Sequence, residues 1–162
     1  MVKNNFKIIS VVGAGTMGVG IAQVFMLSTA EKVHLIDISK KALENAKKKL
    51  ITYTDKLKAK NFFHQNGEAE NILNKLNIST HLDEYVFNSD LIIEAIPEDI
   101  ELKTNLLRKL GDNISNKTII ASNTSTFTIT ELGEASRKPQ NTIGMHFFLP
   151  PFTRSCIEVM KG

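Results

Sequence analysis

The stretch Lys7-Ile8-Ile9-Ser10-Val11-Val12-Gly13-Ala14-Gly15-Thr16-Met17-Gly18 decides the fold. Its first half is a β-branched run and reads as a strand. Its second half is a GxGxxG cluster, after which Met17, Ile21, Val24 and Phe25 recur at helical spacing. Alone, such a glycine pattern is weak. Here it joins a strand to a helix, and Asp37 closes the next strand-like run, Val33-His34-Leu35-Ile36-Asp37, nineteen residues after Gly18. That order of parts is the dinucleotide-binding fingerprint. Gly13 permits the tight turn, and Gly15, lacking a Cβ, lets a pyrophosphate approach the backbone. Thr16 and Met17 open the helix, whose N–H groups and positive dipole end face the phosphates. Gly18 lets the helix pack closely on the strand. Asp37 accepts hydrogen bonds from both ribose hydroxyls and repels a 2′-phosphate, so NAD is expected over NADP. Glycines that serve only a turn, and Asp37 as a helix cap, are the plainer alternatives.

Outward from this unit the chain keeps alternating. Ser39 is a candidate N-cap for a helix with Leu43, Ala46, Leu50, Tyr53 and Leu57 on one face. The polar stretch 61–77, broken at Gly67, reads as a turn and a short helix. Asp90 to Ile96 is a third strand, stopped by Pro97, and Leu102, Leu106, Leu107 and Leu110 mark the next helix. Lys117 to Ala121 is a strand with Ser122-Asn123-Thr124-Ser125 as its polar exit. Thr128 can cap a helix through Ala135. Asn141 to Phe148 and Ser155 to Met160 are the last strands. Apolar strands alternating with helices predict an α/β, Rossmann-type doubly wound fold, with a mostly parallel sheet and helices on both faces.

A chain of 162 residues with 42% hydrophobic and 23% charged residues is an ordinary globular composition for one domain. No apolar run reaches the ~20 residues of a membrane span. Met1 to Phe6 leads directly into the first strand, so no signal peptide is expected. The lone Cys156 has no internal disulfide partner, which together favours the cytoplasm. The four histidines and one cysteine lack zinc-like spacing. The net charge of +3 hides an asymmetry: Lys40 to Lys60 carries eight lysines against Glu44 and Asp55. A solvated helix face is the plainest reading, and a phosphate-rich ligand passing nearby is the functional one. Nucleic acid is not expected, because aromatic interleaving and a binding motif are missing.

Ligands of a doubly wound sheet bind outside the carboxyl ends of its strands. Ser125, His146 and Glu158 lie at or near late strands. A carboxylate within the apolar run Cys156-Ile157-Glu158-Val159-Met160 needs a partner, and His146 is the candidate. An imidazole held by a carboxylate is a general base for a hydroxyl proton. Each residue also has a plainer reading: a satisfied core histidine, a glutamate at a sheet edge facing water, a serine in a turn.

Four segments occur in order: Gly13-Ala14-Gly15-Thr16-Met17-Gly18, Ile93-Glu94-Ala95-Ile96-Pro97-Glu98, Ala121-Ser122-Asn123-Thr124-Ser125 and Gly144-Met145-His146-Phe147-Phe148. Through them nearly the whole chain resembles the N-terminal NAD-binding domain of the L-3-hydroxyacyl-CoA dehydrogenases. The resemblance implies hydride transfer between C3 of an L-3-hydroxyacyl-CoA and NAD. It implies that His146 is the general base, that Glu158 orients it, and that Ser125 contacts substrate and nicotinamide. It further implies that Glu98 and Lys103 touch the cofactor and that the lysine-rich helix lies near the CoA phosphates. The implied partners are a 3-hydroxyacyl-CoA or 3-oxoacyl-CoA substrate, with neither nucleic acid nor membrane.

Three departures limit the resemblance. The family's asparagine after the two phenylalanines is here Leu149, and the glycine usual before the second strand is Ala30. Residues 1–162 are expected to form the NAD-binding domain without the family's helical second domain, so a homodimer is expected only where that domain is supplied. The rival readings are a non-catalytic NAD-binding fragment or degenerate paralogue, and another hydroxyacid dehydrogenase of the superfamily.

Overall fold

The computed structural model describes residues 6–63, 65, 67–154 and 156–162. The run from Met1 to Asn5 and Ser155, the expected start of the last strand, lie outside the described residues. Seven strands form one sheet: β1 (Ile8–Val12), β2 (Lys32–Ile36), β3 (Leu76–Ser79), β4 (Leu91–Glu94), β5 (Ile119–Ser122), β6 (Thr142–Phe147) and β7 (Ile157–Lys161). Their spatial order is β3-β2-β1-β4-β5-β6-β7. All neighbours pair in parallel except β6 and β7, which are antiparallel. The chain winds outward in both directions from β1 and β4, which makes their junction the topological switch point.

Side-chain alternation along the central strands feeds two cores. Ile9, Val11, Leu35, Leu91 and Ile93 pack beneath α1 (Thr16–Met26) and α2 (Lys40–Ala59). Val12, Ile36, Ile92 and Ile120 face α5 (Ile100–Asn113) and α6 (Ile129–Ser136). Strands apolar on both faces need helices on both faces, and these helices supply them. Ser39 and Thr128 cap α2 and α6, each accepting a backbone N–H of the first turn. On α2 the buried positions are Leu43, Ala46, Leu50 and Thr54. Tyr53 instead lies at the edge of that face, its ring 5.0 Å from Phe152.

Two regions depart from the sequence reading. Residues 61–77 contain the expected short helix, α3 (Glu68–Leu73), but β3 follows it and pairs with β2 from Val33↔Leu76 to Ile36↔Ser79. Leu-Asn-Ile-Ser is too short and too polar to announce a strand, and only the open edge of β2 makes it one. In the same region α4 (Glu84–Phe87), one turn capped by Asp83, is a second element the sequence reading did not expect. The second departure is β7. Its apolar composition suggests a buried strand, yet it is the sheet edge and all five residues are exposed, Val159 to 65%.

Candidate active site

Because β1, β2, β4, β5 and β6 run parallel, their exits gather at one edge of the sheet. The glycine loop leaves β1, Asp37 leaves β2, Glu98 follows β4, Ser125 follows β5, and His146 stands one residue before the end of β6. The antiparallel return of β7 brings Glu158 to the same edge.

The glycine loop has the shape a pyrophosphate requires. Gly13 has φ +111°, and a Cβ there would stand 2.4 Å from the Ala95 carbonyl oxygen. A Cβ on Gly18 would overlap the Gly13 carbonyl oxygen at 1.7 Å, so no side chain fits between helix and loop. At Gly15 nothing lies within 4 Å, so the backbone there is bare and open. Gly15 is the N-cap of α1 and gives the helix no side-chain hydrogen bond. An open helix N-terminus over a bare backbone fits a dinucleotide phosphate.

Asp37 ties the loop to β2. Its Oδ2 accepts the Ala14 N–H at 2.8 Å and its Oδ1 accepts the Ser39 N–H at 2.8 Å. The cap of α2 is Ser39, not Asp37. Each carboxylate oxygen accepts one backbone bond and keeps acceptor capacity for ribose hydroxyls.

Beyond the switch point lies a continuous polar network. Glu94, the last residue of β4, is fully buried between Val12 and Ser122. Its Oε1 accepts the Lys103 ammonium at 2.6 Å and the Ile96 N–H at 2.8 Å, and its Oε2 accepts the Ser122 hydroxyl at 2.5 Å. Lys103, in the first turn of α5, is 1% exposed and also reaches Glu98 Oε2 at 3.1 Å. Glu98 accepts the Thr124 hydroxyl and the Ser125 N–H. Burial pushes the Glu98 carboxyl up, but these donors and the ammonium outweigh it and hold it below the usual glutamate range. The Thr124 hydroxyl in turn accepts the N–H groups of Thr126 and Phe127, fixing the turn that carries the exposed Ser125. Asn123 Oδ1 accepts the Phe147 N–H at 2.9 Å and so joins this turn to the end of β6.

His146 and Glu158 are cross-strand partners, with Nδ1 2.9 Å from Oε2. The Phe148 ring lies 4.8 Å from the imidazole, centre to centre. The Glu158 side chain is 55% exposed, so it is not the embedded group its apolar neighbours suggest. The structure thus gathers the glycine loop, Asp37, Glu98, Ser125, His146 and Glu158 along one edge, while Lys103 lies beneath Glu98.

Comparison with known proteins now decides the family. Residues 8–162 match the model of the 3-hydroxyacyl-CoA dehydrogenase NAD-binding domain. The chain belongs to that family. This NAD-binding domain is 37% identical over 160 residues to the mitochondrial hydroxyacyl-coenzyme A dehydrogenase of Rattus norvegicus, covering 96% of this chain and 50% of the relative. It is 36% identical over 160 residues to a Bacillus subtilis protein named "Probable 3-hydroxybutyryl-CoA dehydrogenase", covering 96% and 53%. The crystal structure of (S)-3-hydroxybutyryl-CoA dehydrogenase from Ralstonia eutropha superposes with TM-score 0.90 at 32% identity, covering 98% of this chain and 55% of that one. The chain spans about half the length of the curated relatives it matches, 50% and 53% for these two.

Within the family domain, the residues that sequence reasoning left without a role are Glu94, Ser122, Asn123 and Thr124. A signal for Glu94 existed: a carboxylate ends the apolar run Leu91-Ile92-Ile93, and a lysine follows nine residues later. No helix of the described residues is long and apolar enough to cross a membrane.

Proposed function

We propose that this domain provides the NAD site and the general base of an L-3-hydroxyacyl-CoA dehydrogenase. The observation that carries the reading is the His146–Glu158 pair, formed on the same sheet edge as an open glycine loop with Asp37 behind it. When bound, NAD supplies the hydride acceptor for C3 of the hydroxyacyl group.

The chain's own residues do the rest. Asp37 takes the adenosine ribose, and the N-terminus of α1 takes the pyrophosphate. With Glu158 accepting from Nδ1, the proton-free imidazole nitrogen is Nε2, which takes the substrate's hydroxyl proton. The Glu158 carboxylate stabilises the imidazolium that results. The Ser125 hydroxyl positions the substrate oxygen. In the reverse direction His146 returns the proton to a 3-oxoacyl oxygen. The exposed lysines of α2, starting with Lys40 and Lys41 just beyond Asp37, attract the phosphates of the CoA moiety.

The test uses this domain joined to a helical second domain from a relative. The fusion should oxidise NADH in the presence of acetoacetyl-CoA. His146→Ala should lower kcat by roughly 10²- to 10⁴-fold, the range of a general base, while NADH binding persists. Turnover that survives His146→Ala overturns the assignment of the base.

A further inference from the structure

A buried ion pair, Glu94 with Lys103, stands at the exit of β4. Two long charged side chains are 0% and 1% exposed at the switch point, where a sheet would ordinarily place apolar residues. Three donors converge on the two oxygens of Glu94: the Ile96 N–H, the Lys103 ammonium and the Ser122 hydroxyl. That pattern belongs to an ionised, acceptor-only carboxylate. Lys103 lies between this carboxylate at 2.6 Å and that of Glu98 at 3.1 Å.

The charges of this triad do not cancel. Two carboxylates flank one ammonium, and the shorter contact goes to the buried carboxylate. Glu98 is the member that reaches solvent, its side chain 37% exposed. The excess negative charge therefore lies on the cleft side. Without Glu94, Lys103 would neutralise Glu98 and leave the cleft floor uncharged. A dinucleotide lying across the switch point, with its adenosine half on Asp37 beyond β1, places its other half over β4 and β5. That half ends in a ring that is cationic when oxidised and neutral when reduced.

We propose that Glu94 is a specificity-determining residue of the dinucleotide site: by neutralising Lys103 from below, it leaves Glu98 as a net negative charge that favours the oxidised over the reduced nicotinamide. Glu94 is fully buried, so it acts through Lys103 and Glu98. The inference rests on the reading of this cleft as an NAD site.

The test is calorimetric titration of the 162-residue chain with NAD and with NADH, read as the ratio of the two dissociation constants. Glu94→Gln should shift that ratio towards NADH by about fivefold or more, the scale of one screened charge near a surface. Glu98→Gln should shift it the same way. Glu94→Gln combined with Lys103→Met keeps Glu98 as the lone charge and should restore the ratio of the unsubstituted chain. A merely structural role for the pair would lower thermal stability and weaken both dinucleotides alike, leaving the ratio in place. A folded Glu94→Gln variant with an unchanged ratio overturns the inference. If that variant does not fold by circular dichroism, the double variant decides against Glu98→Gln: a ratio as displaced as that of Glu98→Gln overturns the inference. Failure of the unsubstituted chain to bind either dinucleotide would instead overturn the NAD reading, and the inference with it.

Discussion

Glu158 stands directly across the β6–β7 ladder from His146, and its carboxylate oxygen meets the imidazole Nδ1 at 2.9 Å although half of the side chain faces solvent. The pair is therefore held by strand register rather than by burial. Register places the two residues directly opposite each other, within reach of a cross-strand side-chain contact. In the two-domain fusion, Glu158→Gln should lower kcat by roughly 10²-fold, within the range of general-base contributions. Nitrogen-15 NMR of the isolated domain supplies a second readout. The unsubstituted protein should hold the neutral imidazole with its proton on Nδ1, and the variant should show a mixture of tautomers. An unmixed tautomer in the variant would remove the orienting role from Glu158.

Asp37 carries two loads: the backbone N–H groups of Ala14 and Ser39, and in the functional reading the adenosine ribose. Asp37→Ala should weaken NAD binding by roughly 1–3 kcal/mol, the cost of losing hydrogen bonds to a charged group. It should also narrow the preference for NAD over NADP. Calorimetry with both dinucleotides checks this, and equal affinities in the unsubstituted chain would strip Asp37 of its selective role.

Glu98 gives the fold a pH dependence whose direction follows from its donors. Its carboxyl is held below the ordinary value of 4.5 in the folded chain, so the folded state binds fewer protons there than the unfolded state. The stability it contributes is full above that value and is lost as pH falls through the lowered one. Glu98→Gln should lower the neutral plateau, where the ionised carboxylate contributes, and flatten the acid limb, leaving the acid end little changed. Urea titrations from pH 3 to pH 7, about one unit apart, would show this. An acid limb as steep as that of the unsubstituted chain would assign the effect to other carboxyls.

Gly13→Ala combines a left-handed backbone with a Cβ 2.4 Å from the Ala95 carbonyl oxygen. The substitution should cost about 2–4 kcal/mol of stability, from backbone strain and overpacking together. Thermal or urea unfolding measures it. A variant as stable as the parent would mean that the loop and the β4 exit move apart cheaply.

In the functional reading, the 162 residues taken alone should turn over acetoacetyl-CoA at least about 10²-fold more slowly than the fusion, because hydride transfer needs an acyl group held in a water-poor site and the fusion adds a second covering domain. Leu149 is 56% exposed, and its apolar side chain can offer no hydrogen bond there. Parallel assays of NADH consumption decide it, and rates within a few-fold of each other would show a complete site in this domain.

Local chemistry along the chain was enough for helices α1, α2, α3, α5 and α6, for the strands with β-branched apolar runs, and for the positive-φ glycine turn. Each of these is set by neighbours within about twenty residues, where propensity, capping and a required positive φ act without the rest of the fold. The twelve-residue spacing of His146 and Glu158 also belongs to that class, since one hairpin spans it. The tertiary structure decided what depends on position in the sheet. Leu76–Ser79 becomes a strand only because β2 would otherwise leave an open edge. Glu94 and Glu158 both accompany apolar runs, yet one is fully buried in the middle of the sheet and the other stands at its edge in water. Sequence windows cannot separate those two carboxylates, because burial is conferred by strands and helices far along the chain. Packing of α5 over the end of β4 is what makes Lys103 a buried counter-ion for Glu94 rather than a surface lysine.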